Sequence, residues 1–275
     1  MNDLDSLLNM VNSKDLNEKK SWYSSVAQAY HYARPRYPQD LLQHALTLAQ
    51  LPPHAPILEV GCGPGTATAT LASFGLPILA LEPSLEACQL AQDNCHTYPN
   101  VEIINTTFEE WQPQNRQFAA LIASTSFHWL APETRCQKAA QLLQPDGSLI
   151  LLWNTPPQPS PEVAQTLQPL YDTYAPSLSP YIPPETHVNF LQQLGQTVLD
   201  SGHFKNLQFY QCQGTITYPI DKYLILLSTL SPYIALDPDT RDILFQQMQA
   251  TLKQHWGNSL SLSSLIAFHV AQVQS

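Results

Sequence analysis

An α/β fold with a doubly wound, mostly parallel sheet is what this sequence predicts, and three observations carry it. Short apolar runs at 57–60, 77–81, 101–104, 118–123 and 148–153 alternate with stretches of helical periodicity. The first run leads straight into a glycine turn, Gly61-Cys62-Gly63-Pro64-Gly65, which a helix follows. The second run ends in an acid, Glu82, about 20 residues after the turn, where an acid of such a sheet can grip ribose hydroxyls.

Taken in order, residues 1–20 are polar and read as an N-terminal tail that either frays or forms a short helix. Trp22, Val26 and Tyr30 lie four apart on one helical face, and Pro35 disfavours helix at Arg34, so this helix is expected to end there. Residues 39–50 form an amphipathic helix through Leu41, Leu42, Ala45 and Leu48. Ile57, Leu58 and Val60 suit a strand covered on both faces. Ala67, Leu71 and Phe74 mark the helix after the turn, with Gly75 as its C-cap. Ser84 is the expected N-cap of a helix over 85–94. Strand 101–104 is followed by Thr106-Thr107-Phe108-Glu109-Glu110-Trp111, and strand 118–123 by Ser124-Thr125-Ser126-Phe127-His128-Trp129. A helix begins at Pro132. Pro145-Asp146-Gly147 is a turn before strand 148–153.

The second half is less regular. Residues 156–184 hold nine prolines, leaving room for short helices at about 161–174 and 185–199. Residues 207–218 alternate as a sixth strand, 220–230 and 240–255 read as helices, and 260–273 is a final strand.

Composition bounds the function. The 275 residues carry 44% hydrophobic and only 12% charged side chains, so a substantial core is expected. A net charge of −10 with 12 scattered basic residues disfavours nucleic acid and an anionic membrane. No apolar run has the length of a membrane span, and the start Met1-Asn2-Asp3-Leu4-Asp5 is followed by no apolar leader region. The five cysteines show no C-x-x-C or zinc spacing and the nine histidines no H-E-x-x-H pair. A cytoplasmic protein with reduced thiols and no metal is expected.

The glycine spacing is G-x-G-x-G rather than the G-x-G-x-x-G of dinucleotide binders, and the Lys-Ser/Thr ending of a phosphate loop is missing. A nucleoside without a phosphate cradle is therefore implied. Glu59-Val60-Gly61-Cys62-Gly63-Pro64-Gly65 resembles the first motif of class I S-adenosylmethionine-dependent methyltransferases, and Glu82-Pro83-Ser84 resembles their ribose-binding acid and its turn. Trp22 through Pro38, with Arg34-Pro35-Arg36-Tyr37-Pro38 at its end, resembles the opening of the trans-aconitate-methyltransferase-like branch. Phe127-His128-Trp129 and Ser228-Thr229-Leu230-Ser231-Pro232-Tyr233 are similar to further segments of that branch.

The resemblance implies a Rossmann-like sheet of seven strands with one antiparallel strand and a helical cap. It implies one methyltransferase domain over 21–275, with a cofactor-binding half at 21–155 and sheet completion and substrate cap at 156–275. S-adenosylmethionine is the implied cofactor. Gly61, Cys62, Gly63 and Gly65, with Glu59, would hold its methionine end, and Tyr30 and Arg34 its carboxylate. Glu82 and Pro83 would hold ribose, Thr107 and Phe108 adenine with Glu109 as the fallback, and Ser124 the edge of the site. His128 is the candidate general base, because imidazole takes a proton near neutral pH; its alternative is to shape the pocket. The implied partner is a small-molecule acceptor methylated at oxygen or another heteroatom. A cyclopropane synthase, a non-catalytic binder of the same cofactor and, more weakly, an NAD-dependent oxidoreductase are the competing readings. Few basic residues converge in the cap, so trans-aconitate itself is not carried over as substrate.

Overall fold

A computed structural model describes residues 13–274. Seven strands form one sheet: β1 (Ile57–Val60), β2 (Ile78–Glu82), β3 (Val101–Asn105), β4 (Phe118–Ser124), β5 (Leu143–Asn154), β6 (Phe204–Pro219) and β7 (Ser259–Val273). Their order is β3-β2-β1-β4-β5-β7-β6. β1 pairs in parallel with β2 and β4, and only β7 runs against its neighbours, β5 and β6. The alternating apolar residues of β1 serve both faces. Leu58 and Val60 enter one core with Leu81 and Trp153, while Ile57 enters the other with Leu42, Ile122 and Leu152. Each such fully buried side chain contributes about 1.5–3 kcal/mol.

Helices cover both faces. They are α1 (Leu16–Ser21), α2 (Ala27–Ala33), α3 (Gln39–Leu48), α4 (Thr68–Ala72), α5 (Leu85–Cys95), α6 (Arg135–Leu142), α7 (Pro161–Tyr174), α8 (Pro184–Asp200), α9 (Ile220–Ser228), α10 (Ser231–Ile234) and α11 (Pro238–Trp256). The expected helix over 22–34 is broken: a single 3₁₀ turn, Ser24–Val26, precedes α2. The expected tail contains α1, started by a capping box in which Asp15 and Glu18 each accept from the other's backbone N–H; residues 1–12 lie outside the described residues. β5 starts at Leu143, five residues earlier than its apolar run. The turn at Pro145-Asp146-Gly147 is absorbed as an irregularity, with Asp146 at φ 62°. The helix expected from Pro132 begins only at Arg135.

The long β6–β7 ladder positions the cap. β5 pairs with β7 only as far as Asn154 opposite Ile266, but β6 and β7 stay paired to Pro219 opposite Ser259. This two-stranded extension passes beyond the C-terminal ends of the parallel strands. On it sits a third apolar cluster, in which Leu260 and Leu262 pack with Tyr171, Tyr223, Leu227 and Met248. The cap helices α9–α11 are inserted between the two strands and so overhang the strand ends. Among the described residues no helix is long and apolar enough to cross a membrane, and no group of three or more His, Cys, Asp or Glu could hold a metal.

Candidate functional site

A cavity of about 580 Å³ lies at those C-terminal strand ends, under the cap, within the usual size of small-ligand sites. Its floor is the glycine turn. The N–H groups of Gly61 and Cys62 both donate to the Leu81 carbonyl, at 2.8 and 3.1 Å, which hooks the turn onto the end of β2. Gly61 (φ 67°) passes so close to β4's exit that a Cβ there would stand 2.7 Å from Ser126 Cβ. Gly63 (φ 57°) faces open space in the cavity. Gly65 does not line the cavity; it lets α5 approach, since a Cβ would meet Ala91 and Cys95 at 3.3 Å.

Glu82 closes the floor. Its Oε2 accepts from the Gly63 N–H at 2.7 Å and its Oε1 from the Ser84 N–H at 2.9 Å. Burial pushes its pKa up to about 7, against the pull of those two N–H groups. Ser84 also caps α5, accepting from Ala87 N–H as its position predicts. Glu59 lies one layer below and is absent from the wall. It is fully buried, accepts from the Ser124 hydroxyl at 3.1 Å, and has an unpartnered Oε2. Burial raises it to about 7 as well. Its visible role is to hold Ser124, which does line the cavity.

Thr107, Phe108 and Pro83 line the next wall. The Thr107 hydroxyl donates to Glu110 Oε2 and accepts from the Glu110 N–H, so it pins the turn after β3. Glu109 lines the cavity while accepting from the Ala131 N–H at 3.1 Å. Lys138, which sequence reasoning missed, donates from Nζ to the carbonyls of Phe108, Glu109 and Trp111 at 2.6, 3.1 and 2.8 Å. No sequence signal joins a lysine on α6 to this loop. Trp111 turns away into the core against Phe118. Lys138→Met is expected to destabilise the protein by about 1–2 kcal/mol, since three part-buried carbonyls lose a charged donor. Thermal unfolding would show this as a lower Tm; an unchanged Tm would remove the clamp.

The segment from Trp22 to Pro38, the arm, forms the lid. Tyr23, Tyr30, Arg34 and Tyr37 all line the cavity. Arg34 stacks its guanidinium 4.7 Å from the Tyr30 ring centroid, and its Nε is buried without a partner. The arm is tied to the cap through Tyr23 OH to Ser231 Oγ (2.8 Å) and Tyr218 OH to the Ala33 carbonyl (2.6 Å). It is tied to the strand ends through Asn154 Nδ2 to the Pro35 carbonyl and Tyr37 OH to Thr125 Oγ1, both 2.8 Å. Thr125 is a β-branched residue at φ 54°, a conformation that costs on the order of 1–2 kcal/mol. Its N–H donates to the Leu152 carbonyl at 2.7 Å, and its hydroxyl accepts from the Asn154 N–H. The strain is held where β4 opens into the site.

His128 lines the cavity between Trp129 and Trp153, with ring centroids 6.1 and 5.9 Å away. Burial, with the nearby Arg135 guanidinium, drives its pKa down to about 3, and its Nδ1 has no partner. The ring is neutral at physiological pH and resists protonation. An imidazole NMR titration should show no His128 midpoint above about pH 4; a midpoint near 6.5 would contradict this environment.

The comparisons bear on this cavity. Residues 57–147 match the family described as a methyltransferase domain. That segment runs from β1 through the glycine turn and Glu82 to the bend in β5, and so contains most of the floor and the loop wall. The chain is 28% identical over 133 residues to an uncharacterized methyltransferase of Mycobacterium tuberculosis, covering 48% of this chain and 52% of that protein. It is 27% identical over 137 residues to an uncharacterized methyltransferase-like protein of Schizosaccharomyces pombe, covering 50% and 52%. The matched segment spans about half the length of these curated relatives. Among solved structures, a protein from Anaeromyxobacter dehalogenans assigned as a type II methyltransferase superposes with a TM-score of 0.63 at 20% identity, covering 87% of this chain and 97% of that one. One from Anabaena variabilis, assigned as a methyltransferase of an antibiotic biosynthesis pathway, gives 0.52 at 17%, covering 86% and 98%. These likenesses show the shared Rossmann-like fold.

Proposed function

We propose that the protein is an S-adenosylmethionine-dependent methyltransferase acting on a small-molecule acceptor at an oxygen or another heteroatom. The observation that carries the reading is Glu82: a buried carboxylate at the end of β2, facing the cavity, fixed by the glycine turn on one side and Ser84 on the other. Each oxygen keeps acceptor capacity for a ribose hydroxyl. The rest of the wall fits the same group. Gly63 leaves space free of any Cβ, and Arg34 brings a buried, unpartnered N–H of the kind a methionine carboxylate would satisfy. Thr107 and Phe108 would flank adenine, on a loop that Lys138 holds in shape. The match to the methyltransferase-domain family over 57–147 supports the same cofactor.

When bound, the sulfonium supplies an electrophilic methyl group. The chain's own contribution is positioning and exclusion of water. The arm roofs the donor side, and the cap encloses the acceptor side. His128 is better suited to accept a hydrogen bond and orient the acceptor than to act as general base, because its imidazolium is disfavoured. The enclosed cavity and the net charge of −10 favour a small acceptor over nucleic acid.

A pH dependence follows from Glu82. In the free protein its carboxyl is half protonated near pH 7, and only the ionised form accepts from two hydroxyls. Affinity for S-adenosylhomocysteine should therefore rise about tenfold from pH 6 to pH 8 as the ionised fraction grows. Calorimetry at the two pH values checks the sign; tighter binding at pH 6 would contradict it. The activity itself is tested by incubating the protein with S-adenosylmethionine and a metabolite mixture. S-adenosylhomocysteine should appear together with a product heavier by one methylene. Absence of both would remove the proposal.

A further inference from the structure

The cavity is electrically divided. Among the described residues, four charged side chains line it: Lys19, Arg34, Glu82 and Glu109. Lys19 lies on α1, Arg34 on the arm, Glu82 at the end of β2 and Glu109 in the turn after β3. Lys19 is occupied by the Trp129 carbonyl, Glu109 by the Ala131 N–H, and Glu82 by Gly63 and Ser84. From Ser124 to the end of the chain, no lining residue among those described carries a formal charge. That acceptor lobe is walled by Trp129, Trp153, Phe190, Tyr223, Leu227 and Leu230. Arg135 lies behind His128, outside the lining, and donates to the Phe127 carbonyl and the Thr197 hydroxyl.

Among the described residues of the lobe, three buried polar atoms lack partners: His128 Nδ1, His187 Nε2 and Asn154 Oδ1. Burial holds both rings neutral, with pKa values down to about 3 and about 4. They can exchange a hydrogen bond but cannot balance an anion. A carboxylate placed there would lose its hydration and meet no ionised side chain in the lobe's lining, since Lys19 and Arg135 beside it already donate to the Trp129 and Phe127 carbonyls. A ring would displace water from indole and phenyl surface and gain by it. The Trp153 wall is itself fixed, since its Nε1–H donates to buried His269 Nδ1 at 2.9 Å.

We infer that the methyl acceptor is an uncharged, ring-bearing molecule that presents a hydroxyl or a ring nitrogen to one of the neutral histidines of the lobe, His128 or His187. This rests on the methyltransferase reading for its meaning, but the lobe's preference can be measured apart from it. Biphenyl-4-ol and biphenyl-4-carboxylate are matched probes that differ in charge. Each is titrated by calorimetry at pH 7 into the full chain, with and without saturating S-adenosylhomocysteine. The neutral probe should bind at least tenfold more tightly. Phe190→Lys, which puts an ammonium on the wall, should narrow or reverse that preference while S-adenosylhomocysteine binds as before. A carboxylate bound as tightly as the phenol by the parent, or neither probe bound while S-adenosylhomocysteine binds, would overturn the inference. Failure of S-adenosylhomocysteine alone would instead remove the cofactor reading, and the probe pair without it would still decide the lobe. If Phe190→Lys does not fold, the comparison in the parent decides alone.

Discussion

Replacing Glu82 by alanine is expected to weaken S-adenosylhomocysteine binding at least tenfold and up to several hundredfold. Two hydrogen bonds from ribose to an ionised acceptor are lost, each worth roughly 1.5–3 kcal/mol. The structure adds a second cost. The N–H groups of Gly63 and Ser84 lose their shared anchor, so the turn that borders the ligand keeps only its backbone ties to Leu81. Glu82→Gln should fall between parent and Ala. Its amide must turn an NH₂ toward one of those two backbone donors, where the carboxylate presented only acceptors. Circular dichroism and thermal unfolding of the variants separate a binding defect from a folding one. Equal dissociation constants across parent, Gln and Ala would refute the nucleoside site.

Gly63→Val should abolish measurable S-adenosylhomocysteine binding while leaving a folded chain. Nothing lies within 4 Å of a Cβ built at this position, and the residue lines the cavity, so the added side chain is expected to take ligand space rather than core space. The backbone at φ 57° adds strain of about 1–2 kcal/mol for a β-branched residue, which lowers Tm without unfolding the core. The contrast is Gly61, where the obstacle is Ser126 at 2.7 Å and the damage would be to folding. A Gly63→Val protein that binds with parental affinity would place the ligand elsewhere.

What the sequence disclosed was local. The strand, turn, helix and acid around Gly61 and Glu82 are adjacent in the chain, so their order alone predicts their geometry. The sheet class followed from the same alternation, and Ser84 announced its cap by residue type. Other features depend on distant partners. Lys138 reaches the carbonyls around Phe108 because α6 packs beside that loop. Glu59 reads like a site acid, yet strand alternation buries it beneath Ser124. Gly65 shares its motif with Gly63 but serves the packing of α5. His128 is ordinary in sequence; its low pKa comes from burial and from Arg135. The short helix α1 was one of the two states the polar N-terminal stretch allowed, and Asp15 and Glu18 start it as a capping box.

The central claim is that the cavity beneath the cap holds an adenosyl sulfonium, with Glu82 on its ribose. Titration calorimetry of the full chain with S-adenosylmethionine, S-adenosylhomocysteine and NAD tests it most directly. One-site binding of the first two, lost in Glu82→Ala, and no binding of NAD is the predicted result. Binding of NAD in their place, or no binding of either sulfur nucleoside at pH 8 where Glu82 is ionised, would contradict it.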